Sequence, residues 1–109
     1  MANTLVVYTR TRYCPDVERA TTRLAELDLK YDEINIEEDL EAAQRVEGWT
    51  GFHSVPTIVV AQEGASVPLE DPAPLPSGSS PRGIDRGYII TEPSNDQLDA
   101  YLRKHGFLR

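Results

Sequence analysis

The feature that most limits the folds open to this chain is an alternation of strand-like and helix-like segments through its first half. Thr4 to Thr9 (Thr-Leu-Val-Val-Tyr-Thr) is rich in β-formers and predicts a strand. Cys14-Pro15 opens a helix, because proline is favoured at the first helical position, where its missing N–H is not needed. Val17, Ala20, Thr21, Leu24 and Leu27 form an apolar stripe at helical spacing, and the helix is expected to end near Asp28. Lys30 to Ile36 predicts a second strand, with Tyr31, Ile34 and Ile36 as its apolar residues. Glu38 to Glu47 predicts a second helix, stopped by Gly48, and Val55 to Ala61 a third strand.

The pattern then changes. Residues 62–86 hold Pro68, Pro72, Pro74, Pro76 and Pro81, five of the eight prolines, and a Ser-Gly-Ser-Ser run. They predict a long loop, read either as a tolerated surface insertion or as a partner-binding or dimer-forming segment. The loop is expected at the pole opposite the cysteine. Tyr88 to Ile90 predicts a short fourth strand, hairpin-paired with the third. Ser94, with Gln97 three residues on, forms a capping box for a last helix that buries Leu98, Tyr101 and Leu102 and ends at Gly106. The order is β-α-β-α-β-β-α, an α/β fold with a four-stranded mixed sheet flanked by helices. The alternation of the first three strands with helices implies parallel, right-handed crossovers between them.

A chain of 109 residues is one domain by size. Its net charge of −7 argues against nucleic acid as the main partner, since a phosphate backbone rewards a basic surface. No apolar run is long enough to span a membrane. The N-terminus lacks the basic start and long apolar stretch of a signal peptide, so a cytoplasmic protein is expected. The one cysteine rules out an internal disulfide and a cysteine-rich metal site within one chain.

Cys14 lies at the junction of a strand-loop and a proline-led helix. Helix-start N–H groups and the helix dipole favour a thiolate there, with Arg10 and Arg12 just upstream. Ser54-Val55-Pro56-Thr57 puts a proline at a strand start, where a cis peptide is the attractive explanation. Asp16 stabilises a helix start, and as a like charge it opposes thiolate formation. Glu41 and Arg45 are spaced as a surface pair, Trp49 is expected to pack, His53 to sit in an exposed loop, and His105 to act as a favourable charge near a helix C-terminus.

Val7-Tyr8-Thr9-Arg10 followed by Tyr13-Cys14-Pro15-Asp16-Val17 resembles the active-site segment of glutaredoxins, with its Cys-Pro-X-Cys. Thr50-Gly51-Phe52-His53-Ser54-Val55-Pro56-Thr57 resembles the Thr-Gly-X-X-Thr-Val-Pro of the same family, and Thr91-Glu92-Pro93-Ser94 falls where the family places its third active-site loop. That third loop is closer to the mycoredoxin-like branch than to the glutathione-binding Gly-Gly-X-Asp form. The resemblance covers the chain except residues 62–86. It implies a thioredoxin fold and a redox thiol at Cys14. It also implies substrate contacts from Arg10, Arg12, Tyr13, Val55 and Pro56 and from the helix start at Ser94 and Asn95. Val55 would offer its backbone to an incoming thiol peptide as an added strand would.

The departures are informative. Val17 replaces the second cysteine, which leaves a monothiol route in which an external thiol resolves the mixed disulfide. Asp16 stands where the family often has an aromatic or glycine. Thr11 stands where an arginine or lysine usually precedes the cysteine, so that Arg10 or Arg12 takes that part. The resemblance implies no bound cofactor or metal, with a low-molecular-weight thiol such as glutathione as co-substrate, or a protein disulfide as partner. An iron–sulfur carrier, as in monothiol relatives with Cys-Gly-Phe-Ser, and a non-enzymatic interaction module are the alternatives. Oligomeric state is left open.

Overall fold

The computed structural model describes residues 3–76 and 78–108. Met1 and Ala2, ahead of the predicted first strand, and Ser77, in the Ser-Gly-Ser-Ser run, lie outside the described residues. The elements are β1 (Asn3–Thr9), α1 (Pro15–Glu26), β2 (Asp32–Asn35), α2 (Leu40–Thr50), β3 (Thr57–Gln62), β4 (Ile89–Thr91) and α3 (Asn95–Lys104), in the expected order. The strands form one mixed sheet in the order β2-β1-β3-β4, the thioredoxin-fold arrangement.

Strand direction corrects one expectation. β2 runs parallel to β1, but β3 runs antiparallel to it, so only the first crossover is parallel. The register supplies the reason. Asn35, at the end of β2, pairs with Thr9, and Thr57, at the start of β3, pairs with Tyr8. The α2 connection therefore leaves and re-enters the sheet at the same end, the end that carries Cys14. β4 is antiparallel to β3, as a hairpin requires.

Alternation along β1 and β3 distributes side chains to two cores. Val6, Tyr8, Val59 and Ala61 face α2 with Ala42 and Val46, and Cys14 belongs to this layer. Leu5, Val7, Ile58 and Val60 face the opposite way, onto Ala20 and Leu24 of α1 and Leu98, Tyr101 and Leu102 of α3. An ion pair joins those two helices: Arg23 donates from Nε and Nη2 to the Asp99 carboxylate at 2.9 and 2.6 Å.

α2 does not stop at Gly48. It continues to Thr50 and ends at Gly51, whose φ of 81° provides the left-handed turn and whose N–H donates to the Glu47 carbonyl. Arg45 turns from Glu41 to Tyr8. Its Nε donates to the Tyr8 hydroxyl at 3.2 Å and its guanidinium lies 5.7 Å from the ring centre, a partly buried contact a surface carboxylate does not match. Trp49 packs edge-on against the same tyrosine, centroids 5.5 Å apart.

The long connection between β3 and β4 is held at several points. The Tyr8 hydroxyl donates to the Ser66 carbonyl, and Arg86 donates to the carbonyls of Ala73 (2.8 Å) and Trp49 (2.6 Å). It begins at the far end of the sheet, since Gln62 pairs with Asn3. It does not stay there, which corrects the expectation of an opposite-pole loop. β4 has a free edge whose carbonyls need donors. The connection supplies them: Gly83 N–H donates to Thr91 O at 2.7 Å and Arg86 N–H to Ile89 O at 3.1 Å. Covering Thr91, which pairs with Thr57 at the start of β3, brings Arg82 back to the Cys14 end.

His105 is not a free charge at the end of α3. Its ring packs against Tyr88 and Tyr101, a ring nitrogen lies 2.7 Å from the Gly87 carbonyl, and burial pushes its pKa down toward the neutral form. Among the described residues, no helix is long and apolar enough to cross a membrane.

Candidate functional site

Cys14 is the N-cap of α1, in extended conformation, and its side chain makes no capping hydrogen bond. Its carbonyl accepts from the Glu18 N–H at 3.0 Å, which starts the helical ladder. A sulfur at this position stands where the first N–H groups of the helix have no intrahelical partner. The thiol is 9% exposed and donates to the Val55 carbonyl, with Sγ 3.8 Å from the oxygen. The Val55–Pro56 peptide is cis. Sequence positions 41 residues apart thus meet at one sulfur.

The third loop closes against the same place. Glu92 N–H donates to the Pro56 carbonyl at 2.8 Å, and Thr57 Oγ1 lies 3.1 Å from Thr91 Oγ1. Ser94 completes a capping box: its Oγ accepts from Gln97 N–H at 3.1 Å, and its N–H donates to Gln97 Oε1 at 2.8 Å. Asn95 is the exposed first residue of α3. Glu92 adopts φ of 48°, a left-handed conformation more usual for glycine or asparagine.

The loop from Arg10 to Tyr13 flanks Cys14 on the other side. Glu37 anchors it, accepting the N–H groups of Thr11 (2.8 Å) and Arg12 (3.0 Å) on Oε1 and Arg12 Nε on Oε2 (2.9 Å). Those bonds from Arg12 and Thr11 hold the Glu37 carboxyl below its usual range. Arg12 is thus tethered to Glu37 through Nε, with its side chain 79% exposed. Arg10 Nη2 donates to the Tyr13 carbonyl at 3.2 Å, and its buried Nε has no hydrogen-bond partner among the described residues. Tyr13 and Phe52 are exposed, at 72% and 63%. A cavity of about 320 Å³ lies here, with Arg10, Arg12, Ile36, Leu40, Ala43 and His53 in its wall. His53 itself is exposed, 3.9 Å from Glu47.

Asp16 is a paired charge. Its Oδ1 accepts from Arg19 Nη2 (2.7 Å) and Arg82 Nη2 (3.0 Å), and its Oδ2 from Arg82 Nη1 (2.9 Å). The bonds from Arg82, and then from Arg19, hold its carboxyl down at about 2. Arg82 Nη1 also donates to Glu92 Oε2 at 2.6 Å, while burial and the neighbouring Asp16 push the Glu92 carboxyl up. Arg19 reaches on to the Pro93 carbonyl at 3.0 Å.

The structure thus brings Cys14, Val55 and Pro56 together, with Glu92 hydrogen-bonded to Pro56, Ser94 and Asn95 at the adjoining helix start, and Arg10 and Tyr13 on the opposite flank. Arg12 lies on that flank too, in the cavity wall with Arg10 and tethered to Glu37. Arg82 was missed by sequence reasoning. It lies 66 residues from Asp16, in a segment placed at the far pole, and no local motif marks it.

Residues 5–64 match the sequence profile of the glutaredoxin family. A search of curated proteins found no match to the chain.

Proposed function

This chain belongs to the glutaredoxin family, whose general chemistry is thiol–disulfide exchange, and from that premise we propose that it is a monothiol oxidoreductase acting through Cys14. The observation that carries the reading is the position of the sulfur: N-cap of α1, facing the Val55 carbonyl next to Pro56. The Cys14 thiol gives its proton to solvent, and the thiolate attacks one sulfur of a mixed disulfide. The old S–S bond breaks, its electron pair leaves on the other sulfur as a thiolate, and Cys14 is left in a new mixed disulfide. With Val17 in place of a second cysteine, an external low-molecular-weight thiolate attacks next. It forms a disulfide with the bound thiol and returns Cys14 as thiolate. In this reading Val55 presents its backbone to the incoming chain, Tyr13 packs beside it, and Arg10 and Arg12 are the cations available to an acidic group.

The third loop favours a thiol other than glutathione, or a protein disulfide. The Glu92 N–H is taken by Pro56 and Pro93 has no N–H, so neither residue has a donor left for a carboxylate. Losing one charge-assisted bond costs roughly 1.5–3 kcal/mol, about one to two decades in affinity. The test is turnover of peptides carrying different mixed disulfides, by the wild type, Cys14→Ser and the paired variant Glu92→Gly/Pro93→Gly. The reading expects activity that vanishes in Cys14→Ser and a gain with the glutathionylated peptide in the paired variant. Activity that survives Cys14→Ser would refute the assignment of the sulfur.

A further inference from the structure

We propose that Arg82, delivered by the long β3–β4 connection, is a specificity-determining residue of the Cys14 site: it neutralises an acidic flank so that negatively charged disulfides can approach. The inference rests on Cys14 being the reacting thiol.

Two carboxylates, Asp16 and Glu92, stand on the third-loop side of the helix start, Asp16 two positions beyond Cys14. Arg19 offsets one of them by its bond to Asp16. Arg82 offsets the second by bridging both, at 2.9 Å to Asp16 and 2.6 Å to Glu92. The four groups then sum to zero charge, whereas without Arg82 they sum to −1. Arg82 is held for this task on its own backbone. It bridges to Thr91, and its neighbour Gly83 donates to Thr91 O at 2.7 Å with φ of 73°. A cavity of about 440 Å³ lies beside the bridge, with Arg19, Arg82, Glu92 and Ser94 in its wall. Among the described residues, the guanidinium's hydrogen bonds go to Asp16 and Glu92. It acts through Asp16 and Glu92, as a positioning residue that sets the local charge.

The experiment compares alkylation of Cys14 by iodoacetate, an anion, and iodoacetamide, its neutral analogue, at one pH. Both react with the same thiolate, so the thiolate fraction cancels in the ratio of their rates, and the ratio reads the charge around the sulfur. A full unit charge roughly 7 Å away in a water-like medium changes the rate of an anion about threefold. Arg82→Gln is expected to lower the iodoacetate/iodoacetamide ratio about threefold, and Asp16→Asn to raise it. The double variant is expected to return near the wild-type value, and Arg82→Lys to stay close to it. Salt at about 1 M, where screening acts within about 3 Å, should erase the differences. A role confined to holding the connection in place would lower stability in Arg82→Gln and leave the ratio alone. Should Arg82→Gln fail to fold, Asp16→Asn and Arg82→Lys still test the ordering. A ratio unmoved by Arg82→Gln or Asp16→Asn overturns the assignment of Arg82 alone. A native Cys14 inert to iodoacetamide overturns the enzymatic reading, and this inference with it.

Discussion

Gly83→Ala is a sharp test of how the long connection is docked. Gly83 sits at φ of 73°, and a Cβ built there would lie 2.6 Å from Gln97 Oε1 and 2.8 Å from Nε2. The left-handed backbone alone costs an alanine about 1–2 kcal/mol. Gln97 is a flexible side chain and can move aside, but its Oε1 is the acceptor for the Ser94 N–H, so moving it opens half of the capping box that starts α3. That loss is about 1 kcal/mol. The total is about 2–3 kcal/mol, enough to lower the melting temperature of a domain this size by roughly 10 °C or more. The clash vanishes if residue 97 is alanine, so Gly83→Ala in a Gln97→Ala background should cost only the backbone part. The double-mutant cycle should show about 1 kcal/mol of coupling. Urea denaturation of the four proteins measures it. A cost below about 1 kcal/mol for Gly83→Ala, or equal costs in both backgrounds, would refute the contact between the connection and the α3 cap.

Two other outcomes follow from paired charges. Asp16 has a folded pKa of about 2, below its ordinary value, so its contribution to stability is complete above about pH 4 and is lost as pH falls toward 2. Asp16→Asn should reduce the loss of stability between pH 5 and pH 2.5 by about 1 kcal/mol, a figure discounted because Arg82 is half exposed; urea titrations at the two pH values measure it. For the bond between α1 and α3, Arg23→Met should cost about 1–2 kcal/mol in urea unfolding, with about 1 kcal/mol of coupling to Asp99→Asn, because both side chains are partly buried and the pairing is bidentate.

Local chemistry made the elements legible. β-branched runs, a proline at N1 and the Ser94–Gln97 box marked strand, helix start and cap, because each acts within a few residues. What the sequence hid depends on distance. The direction of β3 is decided by where the α2 connection re-enters the sheet, which the β-α-β-α-β alternation does not encode. Gly48 looked like a stop because glycine is a poor helix former, yet the left-handed residue is Gly51. Arg45 had a carboxylate at helical spacing and took Tyr8 instead. The site divides the same way. Cys14 and Pro56 were visible in motifs. Arg82 was not, because its need arises from the open edge of β4 and from Asp16, which meet it only in three dimensions.

The span of chain that separates the parts of the site also has a consequence for synthesis. Arg19, in the second turn of the cysteine helix, bonds to Pro93, 74 residues later. At about 5–20 residues per second, the ribosome takes roughly 4–15 seconds to cover that distance. During that interval Cys14 travels on a chain whose third loop does not yet exist. The Arg19–Pro93 bond, and with it the packing of the third loop beside the cysteine helix, forms only when α3 has been made and docked.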